Sequence, residues 1–102
     1  MAKKAKLKTT RFDMAEYLTT PEHVAEYLRQ TLEEFDSDAD ALIRALNTVA
    51  RAQGMTKLAK RSGVPRTGIY KALAEDANPG FATIIKIMHG MGVRFSVEET
   101  TA

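Results

Sequence analysis

Between residues 56 and 71 stands a set of side chains suited to a polyanion: Thr56, Lys57, Lys60, Arg61, Arg66, Thr67, Tyr70 and Lys71. Ammonium and guanidinium groups neutralise phosphates, hydroxyls donate to phosphate oxygens, and an arginine fork pairs bidentately with guanine. Spacing carries as much as type. Leu58, Ala59, Val64, Ile69 and Leu73 interleave with them, so two short helices joined by a tight corner turn the apolar set inward and leave the polar set outside. That pattern predicts a helix-turn-helix over residues 55–73 that reads double-stranded DNA. Arg66 is the first candidate for a base contact and Thr67 for a thymine methyl or base edge, while Lys71 can reach a base or a phosphate. Thr56 and Lys57 open the first helix where it meets the DNA backbone, and Lys60, Arg61 and Tyr70 are further phosphate candidates. An ordinary helical hairpin fits the same residues, with Lys60 and Arg61 only complementing the negative end of the first helix and Tyr70 packing on the final one.

The corner has its own requirements. Ala59 is small where the first helix is expected to cross the second. Gly63, four residues on, suits the left-handed conformation that ends helices. Val64 plugs the corner, Pro65 has the φ of a helix's first turn, and Ile69, six residues after Gly63, returns to the core. The reading helix is expected over roughly residues 65–74. Gly68 inside it costs up to about 1 kcal/mol against alanine, and its bare backbone would allow close approach to DNA.

Other segments must hold this pair in place. Residues 1–10 lack an apolar period and are expected to form a flexible basic arm, for phosphates or for a partner protein. Asp13, with Glu16 three residues later, is expected to cap a single turn carrying Met14, Tyr17 and Leu18. Thr20-Pro21-Glu22 reads as a helix start, with a capping hydroxyl, a first-turn proline and an acid at the positive end. Val24, Tyr27, Leu28, Leu32 and Phe35 follow at helical spacing, and the helix is expected to end near Asp36. Ser37 is expected to cap the next, whose stripe is Leu42, Ile43, Leu46, Val49 and Ala50, closed by Gln53-Gly54. After the polar break of residues 74–80 come Phe81, Ile84, Ile85, Ile87, Met88 and Met91, another helix, bracketed by Gly90 and Gly92. Val93, Phe95 and Val97 alternate with Arg94 and Ser96, which predicts a short strand. A lone strand leaves its backbone groups unpaired, so the same segment of a second chain is the expected partner, giving a two-fold homodimer.

A chain of 102 residues supports one modest core. It contains no cysteine, which excludes disulfides and thiolate metal sites. No cofactor or metal is expected. No apolar run reaches membrane-spanning length, and the basic start leads to Phe12 and Asp13 rather than to a signal-peptide core, so a cytoplasmic protein without a membrane partner is expected. His23 and His89 are the only histidines and neither sits in a triad-like arrangement, so no enzyme is expected. The formal charge of +2 hides a segregation. Residues 1–12 carry five basic side chains and no acid, residues 13–40 carry nine acids against Arg29, and residues 41–94 carry nine basic side chains against Glu75 and Asp76. Two opposite faces imply two different partners.

Beyond these features the chain resembles the antidote proteins of bacterial toxin–antitoxin modules that carry a helix-turn-helix of the Cro and lambda-repressor type. The resemblance runs from Arg11 to Glu98, through Phe12-Asp13, Tyr17-Leu18, Ala50-Arg51-Ala52, Gly54-Met55-Thr56, Ala59, Gly63, Ile69 to Leu73, and Asn78-Pro79 followed by Phe81, Thr83 and Gly92. It implies an all-α, lambda-repressor-like bundle over residues 11–98, with an N-terminal helical extension, the short C-terminal strand, and residues 99–102 as a tail. It implies two roles: neutralising a small toxin protein, typically a RelE-like mRNA endoribonuclease, and repressing the module's own operon at its operator. The family usually has a serine and an acid where this chain has Pro65-Arg66-Thr67-Gly68, so the operator sequence does not carry over. The toxin surface falls to the arm and the acidic helix, since an acidic face suits a basic RNA-cleaving partner. The alternatives are a stand-alone phage-type repressor, to which the acidic first forty residues are surplus, and a protein-interaction module that has lost DNA binding.

Overall fold

The computed structural model describes residues 16–100. The expected arm and the Asp13 cap lie outside the described residues. Five helices lie wholly within them: α1 Pro21–Glu34, α2 Ala39–Gln53, α3 Met55–Ser62, α4 Arg66–Ala72 and α5 Phe81–Met91. Each buries one stripe. Val24 and Leu28 of α1, Leu46 and Val49 of α2, Leu58 of α3, Ile69 of α4 and Ile87 of α5 meet in one core with Leu18. α5 lies across α3 and touches α2 and α4, while α1 packs on α2.

Several caps differ from expectation. Thr20 is extended at the start of α1 but makes no side-chain cap. Its Oγ1 lies 2.9 Å from His23 Nδ1, which also faces the Tyr17 carbonyl at 3.1 Å. A carbonyl only accepts, so Nδ1 carries the proton there. The Tyr17 ring stacks on His23 with centroids 4.2 Å apart. α1 ends at Glu34, two residues before Asp36. Asp36 and Ser37 then take left-handed φ of 54° and 60°, and Asp38 rather than Ser37 caps α2, accepting from the Ala41 amide at 3.2 Å. A side chain caps only from extended backbone, which Asp38 has and Ser37 lacks.

Two aromatic positions leave the core that helical spacing assigned them: Phe35 is 48% and Phe81 67% exposed. Phe81 opens α5 beyond the core's edge and packs on Phe95, with ring centroids 5.5 Å apart. Among the described residues no strand forms. The Val93 amide donates to the Met88 carbonyl as α5 closes, and Val97 is 97% exposed. A strand needs a facing row of backbone groups, and no described segment offers one to Val93 to Val97.

One polar tie reaches far along the chain. Gln53, only 9% exposed, donates from Nε2 to the Leu18 carbonyl at 3.2 Å and fastens the segment before α1 to the end of α2. Nearby, the Tyr17 phenol donates to Glu26 Oε1 at 3.3 Å. Partial burial, then the Glu26 charge, then this hydrogen bond hold the phenol's pKa above the ordinary 10.0. The unfolded phenol gives up its proton first, so this contribution is complete below the ordinary value and fades as pH rises through the raised one. An NMR titration is expected to show Tyr17 ionising above 10.0, and Glu26→Gln to return it toward that value. An unshifted Tyr17 in the wild type would contradict the contact.

Candidate nucleic-acid interface

Gly63 makes the corner between α3 and α4. Its φ of 79° is left-handed, and its amide donates to the Ala59 carbonyl at 3.0 Å. The Val64 amide donates to Ser62 Oγ at 3.1 Å, a side-chain grip on the corner that the apolar pattern does not reveal. Val64 is buried, as a plug must be. Pro65 is extended and stands before α4 rather than in its first turn, so α4 runs from Arg66 to Ala72 and ends two residues short of Ala74. Gly68 is half-buried, and a Cβ there would meet Val64 Cγ1 at 3.1 Å. Its bareness therefore serves the plug of its own corner.

Thr56, Lys57, Lys60, Arg61, Arg66, Thr67, Tyr70 and Lys71 are all exposed. Arg66 Nη2 donates to the Tyr70 hydroxyl at 3.4 Å, and its guanidinium carbon stands 5.5 Å from the Tyr70 ring centroid. Tyr70 therefore holds Arg66 one helical turn away instead of packing on α5. Thr56, Lys57, Arg66 and Tyr70 line one hollow together with Arg51 and Gln53. The first turn of α3, whose backbone N–H groups point outward, contains no acid to oppose an anion there. Lys71 lies elsewhere, in a hollow with Val64, Gly68 and Thr83. Lys60, Arg61 and Thr67 line neither of these.

Arg51 is the cation that spacing within the motif misses. It sits in the last turn of α2, is exposed, and shares the hollow only because Gly54 turns the chain directly from α2 into α3. Its position five residues before Thr56 is the one hint in the sequence. No group of three His, Asp or Glu side chains among the described residues is placed to hold a metal. No described helix is long and apolar enough to cross a membrane.

A protein-family profile described as "probable addiction module antidote protein" matches residues 8–99. The chain belongs to this antidote family. A protein of Haemophilus influenzae (strain ATCC 51907 / DSM 11121 / KW20 / Rd), described as uncharacterized, is 38% identical over 89 residues, which covers 87% of this chain and 90% of the relative. No solved structure matches. Membership of the antidote family implies a toxin as partner. The match takes in all five helices, the acidic α1 as well as the basic pair.

Proposed function

We propose that this antidote neutralises a small toxin protein, of the RelE-like mRNA-cleaving class that the resemblance implies, and represses its own operon in the cytoplasm by binding operator DNA as a homodimer. In this reading α3, the Gly63 corner and α4 are a helix-turn-helix of the lambda-repressor type. α4 enters the major groove with Arg66 and Thr67 leading, and the first turn of α3 meets the phosphate backbone. The observation that carries the reading is the shared hollow, where Arg51, Thr56 and Lys57 stand beside the exposed Arg66 at the start of α4. A hydroxyl and two cations beside a helix start suit a phosphate, and Arg66 then faces the adjacent groove. The homodimer pairs Val93 to Val97 of two chains, giving each a strand partner that the described residues of one chain do not supply.

Binding to a duplex covering the module's own upstream region, measured by fluorescence anisotropy beside an unrelated duplex of equal length, tests this. The wild type is expected to prefer the upstream duplex. Arg66→Ala is expected to lose about 1–3 kcal/mol of that preference, roughly five- to 150-fold, while general affinity falls far less. Equal affinity of the wild type for the two duplexes would end the operator reading.

A further inference from the structure

Away from the helix pair, a groove of about 530 Å³ runs between α1, the α1–α2 turn, the end of α5 and the segment after it. Its lining is mixed, with apolar surface from Leu28, Leu32, Leu42, Met88, Val93 and Phe95. Glu33, Asp36 and Glu98 line it as well, and so do Arg29 and Arg94. Outside the groove the chain before α3 carries further exposed acids, Glu22, Glu26, Glu34, Asp38 and Asp40, and no Lys or Arg but Arg29 from residue 16 to 40. Resting on the antitoxin reading above, we infer that this groove is the toxin-docking surface, and that it receives a segment of the toxin carrying apolar side chains flanked by lysine or arginine.

Each property of the groove narrows the occupant. Three carboxylates against Arg29 and Arg94, with further acids on α1 and at the start of α2, favour a basic protein over a polyanion. The apolar part of the lining asks for side chains that a purely charged tail lacks, and desolvation over it strengthens ion pairs to the neighbouring carboxylates. A second copy seated in the groove about a two-fold axis would set Glu33, Asp36 and Glu98 against their own equivalents, like charge on like, whereas the pairing of Val93 to Val97 proposed above joins backbone edges and leaves the groove to another occupant. The groove shares no residue with the hollow of Arg51, Thr56, Lys57 and Arg66, so the toxin and the operator occupy separate surfaces.

The test uses the full chain and, as probe, the purified product of the reading frame adjoining its gene, with affinity measured by calorimetry. Three proteins are compared: the wild type, the groove pair Glu33→Lys with Glu98→Lys, and a control pair Glu34→Lys with Glu75→Lys. All four positions are exposed, and the control residues do not line the groove. Circular dichroism and melting curves confirm that each protein is folded. The groove pair is expected to weaken binding about a hundredfold and the control pair by less than about threefold, with the wild-type affinity falling as salt rises. If both pairs weaken binding alike, a diffuse acidic field attracts the toxin and the groove proposal fails. It fails equally if the groove pair binds as tightly as the wild type, which leaves the antitoxin reading intact. The three proteins are expected to sediment with the same mass; a halved mass in the groove pair alone would show that the groove itself, and not only the Val93 to Val97 backbone, is buried between copies, and would overturn the proposal. If the wild type does not bind the probe at all, the antitoxin reading falls and takes the groove with it.

Discussion

Replacing Gly90 with alanine is expected to lower stability by about 1–3 kcal/mol, and valine by more, because any side chain there must separate two helices. Gly90 is buried within α5 where it crosses α3. A Cβ at this position would stand 2.7 Å from Ser62 Cβ, 3.0 Å from Ser62 Cα and 3.0 Å from Leu58 Cδ1. The Leu58 methyl can swing aside, but the Ser62 backbone moves only with α3. Alanine regains about 1 kcal/mol of helix propensity over glycine, which offsets part of the strain without removing its cause. The control is Gly80→Ala, since nothing lies within 4 Å of a Cβ there. Urea unfolding of the three proteins checks the argument, and a Gly90→Ala variant as stable as the wild type would refute it. Because α3 begins at the proposed phosphate seat and ends at this crossing, the variant is also expected to weaken operator binding before it unfolds.

That crossing shows what the sequence hides. The corner residues are legible because their demands are local: Gly63 is left-handed and Val64 is buried. The stripe Ile84, Ile87, Met88 and Met91 is legible because helical periodicity alone selects a buried face. Gly90 reads as a helix end by composition, yet it lies inside the helix, and only the path of α3 explains it. Phe81 has the right spacing but belongs to a first turn that overhangs the core, so period without depth misplaces it. Ser37 and Asp38 are both good caps in isolation, and backbone conformation alone chooses between them. At the candidate interface, the exposure of all eight polar residues follows from the same periodicity. Their grouping does not, since the place of Arg51 beside Arg66 depends on how the end of α2 meets the start of α4. The expected strand does not form among the described residues because pairing is a property of two segments.

The affinity of the antidote for its operator is expected to fall about a thousandfold between 50 and 200 mM salt, if three cations of each protomer meet phosphates and the dimer therefore releases about six counterions. Arg51 and Lys57 at the hollow and Lys71 on α4 are the three, each exposed. The slope of log affinity against log salt would then be about −5, and it separates their roles better than affinity does. Lys57→Gln removes one phosphate contact per protomer and is expected to flatten the slope by about 2. Lys60 lies in the last turn of α3, where a cation also complements the negative helix end. If that is its whole role, Lys60→Gln costs a few tenths of a kcal/mol in stability and leaves the slope unchanged. A slope indifferent to Lys57, or a total loss below about tenfold across this range, would mean that the duplex does not lie against the first turn of α3. The hollow it shares with Arg66 would then serve some other ligand.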